Sequence, residues 1–227
     1  MSIKTTIPNL TSALRTSIVE SPDVIRHASG LRLFGKRIKT IVYSTDVALI
    51  ANCDADAILA VYPWTPNTRI LDAISRVANV PILAGVGGGL TKGLRSATVA
   101  RFAEENGAQA VVLNAPTGLE TLKSVRQIVD VPIFYTVVNQ SADLTAYVAA
   151  GVNALNIAGG KETAALVAWA RQQVPEDFPI IASGGKTDEQ IQATITAGAN
   201  AITYTAYGMT EKTFHEKMAK YREEHPE

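Results

Sequence analysis

With 227 residues the chain has the length of one domain, and 47% of them are hydrophobic, enough to bury a large core. Its 21 basic and 21 acidic residues cancel, which excludes a general electrostatic field for DNA or an anionic membrane and disfavours RNA. A single cysteine, Cys53, rules out an intrachain disulfide. No apolar run reaches the roughly 18 residues of a membrane span, and Met1–Thr6 lacks a signal-like stretch, so a cytoplasmic protein is expected.

Residues 1–37 precede any repeated unit. A helix is predicted over 11–19 and another from Ser21-Pro22 to about Ala28, followed by the irregular stretch Leu31–Gly35. This helical extension is read as a cap over the N-terminal mouth of the fold; the alternatives are a mobile arm or a contact in a homo-oligomer. From residue 38 to 227, eight short apolar runs recur: 38–43, 57–61, 81–85, 110–114, 132–137, 154–157, 179–183 and 201–205. They are continuously apolar rather than alternating, as parallel strands covered on both faces must be. Amphipathic stretches such as Ile70–Val77, Leu119–Val125 and Ile191–Ile195 lie between them. Cap spacings appear at Thr65-Pro66, Thr117/Glu120 and Thr187/Gln190, and helix-ending glycines at Gly107, Gly151 and Gly198. Eight near-equal strand–helix units make an α/β protein, and they close more naturally into a (β/α)₈ TIM barrel than into an open doubly wound sheet.

Active sites of such barrels sit where the strands end. After the seventh run the chain reads Ser183-Gly184-Gly185-Lys186, with a helix starting at Thr187. Glycines there let backbone N–H groups approach an anion, aided by the helix dipole. The loop after the eighth run offers Thr205-Ala206-Tyr207-Gly208, and that after the sixth Gly159-Gly160-Lys161. Gly184-Gly185 can also be read as a tight strand-to-helix turn, and Gly159-Gly160 as a simple helix start. Gly87-Gly88-Gly89, after the third run, permits substrate contact or loop closure, and lacks the Gly-Lys-Ser/Thr ending of a P-loop.

The stretch Pro179–Tyr204 resembles the final units of the phosphate-binding barrel superfamilies: ribulose-phosphate-binding barrels, histidine-biosynthesis cyclase barrels and FMN-linked barrels. The resemblance covers about a quarter of the chain. It implies phosphate held by the Gly184 and Gly185 amides beside Ser183. From the loops themselves, Lys186 can add a charge, Thr205 a hydroxyl, and Gly159 and Gly160 a second wall. Those families place Gly-Ser or Gly-Thr after the eighth strand, where this chain has Thr205-Ala206. A weaker resemblance, around Ala154–Gly160 and Pro179–Thr203, is to glycerol-responsive antiterminator barrels.

Acid–base chemistry needs titratable groups at strand ends, yet the ends here are mostly neutral: Tyr43, Tyr62, Asn114, Tyr135, Asn156, Ser183 and Tyr204. The cyclase resemblance implies aspartates at strand ends one and five. Only Asp46 stands near the first, and it also suits a helix start. Lys39 lies at the wrong end of its strand for a Schiff base. No His-Glu-x-x-His or paired cysteine implies a metal. The candidate catalytic set is therefore Asn114, Asn156, Lys161 and Asp46. Tyr43, Tyr62, Trp64, Gly87, Gly88, Tyr135 and Tyr207 are candidate pocket walls.

Three functions fit. The first is a lyase, isomerase or synthase acting on a phosphorylated small molecule, with no cofactor required. The second is an oxidoreductase whose aromatic residues hold FMN. The third is a non-enzymatic metabolite sensor that binds RNA through Arg26, Arg32, Lys36, Arg37 and Lys39.

Overall fold

The computed structural model describes residues 18–206 and 209–224, with Pro8, Leu10 and Ser12. The predicted helix over 11–19 falls mostly outside the described residues. At its end, Val19 forms a parallel bridge with Cys53. The helix predicted from Ser21 is a short 3-10 turn, Asp23–His27, whose Ile25 is buried.

Strands β1 (Leu31–Leu33) and β2 (Lys36–Ile38) form an antiparallel hairpin. Phe34 and Gly35 turn it, both with positive φ (46° and 85°), as a two-residue hairpin loop requires. Then come eight parallel strands: β3 (Thr40–Tyr43), β4 (Ala57–Ala60), β5 (Ile82–Gly87), β6 (Ala110–Leu113), β7 (Ile133–Val137), β8 (Ala154–Ile157), β9 (Ile180–Ser183) and β10 (Ala201–Thr205). They close into a barrel in the order β10-β3-β4-β5-β6-β7-β8-β9. The intervening helices are α1 (Val47–Ala51), α2 (Thr68–Val77), α3 (Leu94–Glu105), α4 (Leu119–Arg126), α5 (Leu144–Ala149), α6 (Thr163–Arg171) and α7 (Asp188–Thr196), with α8 (Met209–Glu224) last. The (β/α)₈ reading of the sequence is the observed fold.

The first run is the one that splits. Ile38 belongs to the hairpin, and the barrel strand restarts at Thr40, because the Asp56 carboxylate accepts the Lys39 and Thr40 amides at 2.8 and 3.0 Å. The same device recurs around the barrel. Gln109 accepts from the Ile82 amide (2.8 Å), Asn153 from Ile133 (2.9 Å) and Asn200 from Ile180 (2.9 Å). In those three cases the capped amide follows a proline that opens the strand and has no N–H of its own.

Period-two alternation divides the strand side chains. Ile41, Leu59, Leu83, Val112, Phe134 and Ile181 fill the barrel, and their neighbours face the helices. Ala57, Ala110, Ala154 and Ala201 leave room at the strand starts, and Leu33 and Ile38 of the hairpin pack into that cluster. Gly107, Gly151 and Gly198 take positive φ at helix ends, as anticipated. Two caps differ. Asn67, not Thr65, caps α2, accepting from the Arg69 amide at 2.9 Å. Thr117 makes no capping box, because its hydroxyl donates to the Asn114 carbonyl at 2.5 Å. Among the described residues no helix is long and apolar enough to cross a membrane.

Candidate functional site

At the strand ends the inward positions change from aliphatic to neutral polar. Thr136 lies in register with Asn156 on β7 and β8. Its hydroxyl donates to Asn114 Oδ1 and accepts from Asn156 Nδ2, each at 3.1 Å. One hydroxyl thus spends both capacities on fixing two amides, leaving Asn114 Nδ2 and Asn156 Oδ1 outside the chain. Asn114 and Asn156 are brought together as the sequence anticipated. Thr136, two positions after the inward Phe134, stands among the strand-end residues of the sequence but outside the candidate catalytic set.

The loops after β8, β9 and β10 enclose a cavity of about 1,010 Å³. Gly160, Lys161, Ser183, Gly184, Gly185, Lys186 and Thr205 all line it, together with the buried Thr203. Lys161 and Lys186 are exposed, and neither is ion-paired among the described residues. Several of the expected amides are already committed. Gly184 N–H donates to the Thr203 carbonyl at 3.0 Å, Lys186 N–H to Gln190 Oε1 at 2.7 Å, and Gly159 N–H to the Thr163 hydroxyl at 3.1 Å. These three cannot serve an anion without breaking those bonds, which corrects the roles given to Gly184 and Gly159. The amides of Gly160, Lys161 and Gly185 make no such bond among the described residues.

Packing accounts for one glycine and backbone conformation for the next. A Cβ at Gly184 would stand 2.6 Å from Ile202 Cγ2, and Gly185 has φ +92°. The Thr187/Gln190 cap forms at 3.4 Å. Beside it Asp188 and Glu189 place negative charge in the first turn of α7. A hydrogen bond from the Thr187 hydroxyl holds the Glu189 carboxyl below its usual range. An anion would therefore sit on the lysine and Gly160–Lys161 side of the cavity, away from those carboxylates.

A second cavity, about 570 Å³, is lined by Tyr43, Asp46, Tyr62, Trp64 and Thr205, with Thr210 of α8. Asp46 is the N-cap of α1, its Oδ1 accepting from the Ala48 and Leu49 amides at 2.9 and 3.2 Å. Burial pushes its pKa upward, but hydrogen bonds from Thr210 and the Leu49 and Ala48 amides outweigh that and lower it. It is a cap held ionised, and it lines this second cavity, not the one that holds Lys161. The Tyr62 hydroxyl accepts from the Asn67 amide at 2.6 Å and so pins the loop before α2.

Of the predicted aromatic set, Tyr43, Tyr62 and Trp64 share this second cavity, and Tyr135 does not join them. Trp64 is 76% exposed. Tyr135 faces outward and stacks on Tyr147 of α5 at 4.0 Å between ring centroids, because alternation turns it away from Thr136. Burial raises its pKa, so it stays protonated. Tyr207 lies outside the described residues. Gly87 and Gly88 form a closed turn instead of a ligand-facing loop. A Cβ on Gly87 would meet Ser96 Oγ at 2.1 Å and one on Gly88 the Asn114 carbonyl at 2.4 Å, while Gly88 and Thr91 exchange two backbone bonds. The basic residues near the hairpin are engaged locally: Arg26 with Asp23, Arg37 on the Ser29 carbonyl, and Lys39 on the Arg26 carbonyl. Among the described residues no cluster of three or more His, Cys, Asp or Glu forms a metal site.

No protein-family model matches this chain, and no curated protein matches it in sequence. Its backbone is similar to several solved enzymes. A phosphonopyruvate hydrolase matches with a TM-score of 0.63 at 14% identity, over 85% of this chain and 84% of that one. A phosphoenolpyruvate phosphomutase from Streptomyces platensis subsp. rosaceus matches at 0.60 and 15%, over 80% of each. A 4-hydroxy-tetrahydrodipicolinate synthase from Methylacidiphilum fumariolicum SolV matches at 0.63 and 15%, over 77% and 70%. At such identities the likeness establishes the barrel fold. None of the three is a ribulose-phosphate-binding, cyclase or FMN-linked barrel by name.

Proposed function

We propose that this chain is an enzyme that binds a phosphorylated small metabolite at the C-terminal mouth of its barrel and carries out lyase- or mutase-type chemistry on it. The observation that carries the reading is the shared cavity. Two lysines without an ion pair and three amides without a hydrogen bond among the described residues, with the Thr205 hydroxyl, come from three consecutive strand ends. Cationic side chains and oriented N–H groups are what a phosphate requires; Glu20 and Asp188 also line the cavity, so the phosphate is placed against the lysines and the Gly160–Lys161 amides. In support, two of the structural neighbours bear names of phosphorus-containing substrates and a third is a synthase.

In this reading Lys161 and Lys186 neutralise the phosphate. The Gly160, Lys161 and Gly185 amides fix its orientation. Across the mouth, the Asn114–Thr136–Asn156 chain presents one amide donor and one carbonyl acceptor to the reacting part of the substrate. Because Thr136 locks both amides, they need no reorganisation when charge develops. Lys161 is the titratable side chain of the shared cavity nearest in sequence to Asn156, and it is assigned the proton-transfer step.

Isothermal titration with inorganic phosphate and a panel of phosphate monoesters tests this. Lys161→Ala and Lys186→Ala should each weaken binding by about 10-fold, the loss of one charge-assisted contact. Unchanged affinity in the double variant would remove the reading.

A further inference from the structure

Among the described residues, two cavity-lining side chains, Thr203 and Tyr204, bury a hydroxyl that has no hydrogen-bond partner, and Thr203 is the one on the inner face of the barrel. Thr203 is 7% exposed, and its Oγ1 is sealed from solvent with no hydrogen bond. It faces the barrel interior, since Ala201, two positions earlier, belongs to the inner cluster and Ile202 and Tyr204 to the outer one. Ser183 is its register partner on β9, and the Ser183 hydroxyl likewise makes no hydrogen bond among the described residues. Strand neighbours lie about 4.8 Å apart, so two idle hydroxyls stand side by side below the lysine-bearing loops. Burying a hydroxyl without a partner is unfavourable. Nothing in the fold needs it, because valine has the same shape as threonine.

We infer that Thr203 and Ser183 form a second subsite, beneath the anion-binding loops, that donates hydrogen bonds to a carbonyl or carboxylate oxygen of the bound metabolite. The inference rests on the phosphate reading and sharpens it. The ligand carries an oxygen acceptor in addition to its phosphate, and that acceptor descends into the barrel toward β9 and β10. Two neutral donors suit such an oxygen, since they stabilise it without bringing a counter-charge into the interior.

The test uses the intact chain with Thr203→Val and Thr203→Ser, titrated with inorganic phosphate, glycolate and phosphoglycolate. Ligand-free Thr203→Val should melt about 2–4 °C higher than wild type, because an unpaired buried hydroxyl is gone. It should bind phosphoglycolate about 10-fold more weakly and inorganic phosphate unchanged, while Thr203→Ser keeps wild-type affinity. A lower melting temperature in Thr203→Val, or equal phosphoglycolate affinity, overturns the subsite and leaves the phosphate reading standing. If glycolate binds and is weakened by Thr203→Val but phosphate does not bind wild type, the phosphate reading falls and the hydroxyl subsite stands. Binding of none of the three overturns both.

Discussion

Gly184 and Gly185 illustrate how much a side chain's absence leaves open. A glycine pair at a strand end suits an anion, but the Gly184 amide is already bonded to β10 and its missing Cβ makes room for Ile202. Neither fact is visible in a string of residues, because both depend on a neighbouring strand, at Thr203 and Ile202, that lies beyond a whole helix in sequence. Asp46 shows the same ambiguity with the opposite lesson: the helix-start reading of Ser44-Thr45-Asp46 is the one the geometry realises. Its folded pKa lies below the ordinary carboxyl value, so its contribution is present at neutral pH and disappears as pH falls through that lowered pKa. Asp46→Ala should therefore destabilise the protein by about 1 kcal/mol at pH 7. Chemical denaturation at stepped pH should show the wild-type advantage shrinking below about pH 4, with no such change in the variant.

At the scale of elements, the eight strands were legible because burial on both faces makes each run apolar and because the helix between them needs a fixed length. The hairpin was not, since Leu31–Leu33 and Lys36–Ile38 are too short to show a period. The polar residue after each helix-ending glycine was visible as a pattern: Gly107-Ala108-Gln109, Gly151-Val152-Asn153 and Gly198-Ala199-Asn200. Its purpose needed coordinates. Asn200 accepts the Ile180 amide through its side chain and returns its own amide to the Ile180 carbonyl at 2.7 Å, and Arg171 donates to the same side-chain oxygen at 3.1 Å. This pincer sets the start of β9 and hence the height at which Ser183 meets the cavity. Asn200→Leu should cost about 1–3 kcal/mol, measured by urea denaturation, because it strands a buried amide and a half-buried guanidinium. The Asn114–Thr136–Asn156 chain belongs to the same scale. Both asparagines stood out in the sequence as polar residues ending apolar runs, whereas Thr136 looked like an ordinary strand threonine.

Across the whole molecule, the two ends of the barrel are chemically different. Alanines and the hairpin's Leu33 and Ile38 fill the N-terminal end, while hydroxyls, amides and two lysines occupy the C-terminal end on the β8–β10 side. The net charge of zero concealed this, because acidic residues are spread over the helices. On the proposed function, that polarity suits the mouth to a small anion. Amide-resolved NMR during a titration with inorganic phosphate probes it most directly. Saturable shifts should concentrate on the Gly160, Lys161 and Gly185 amides, with Gly159 and Gly184, already bonded, moving little. Shifts gathered on the Asp46–Trp64 side, or no saturable shift at any concentration, would contradict the account.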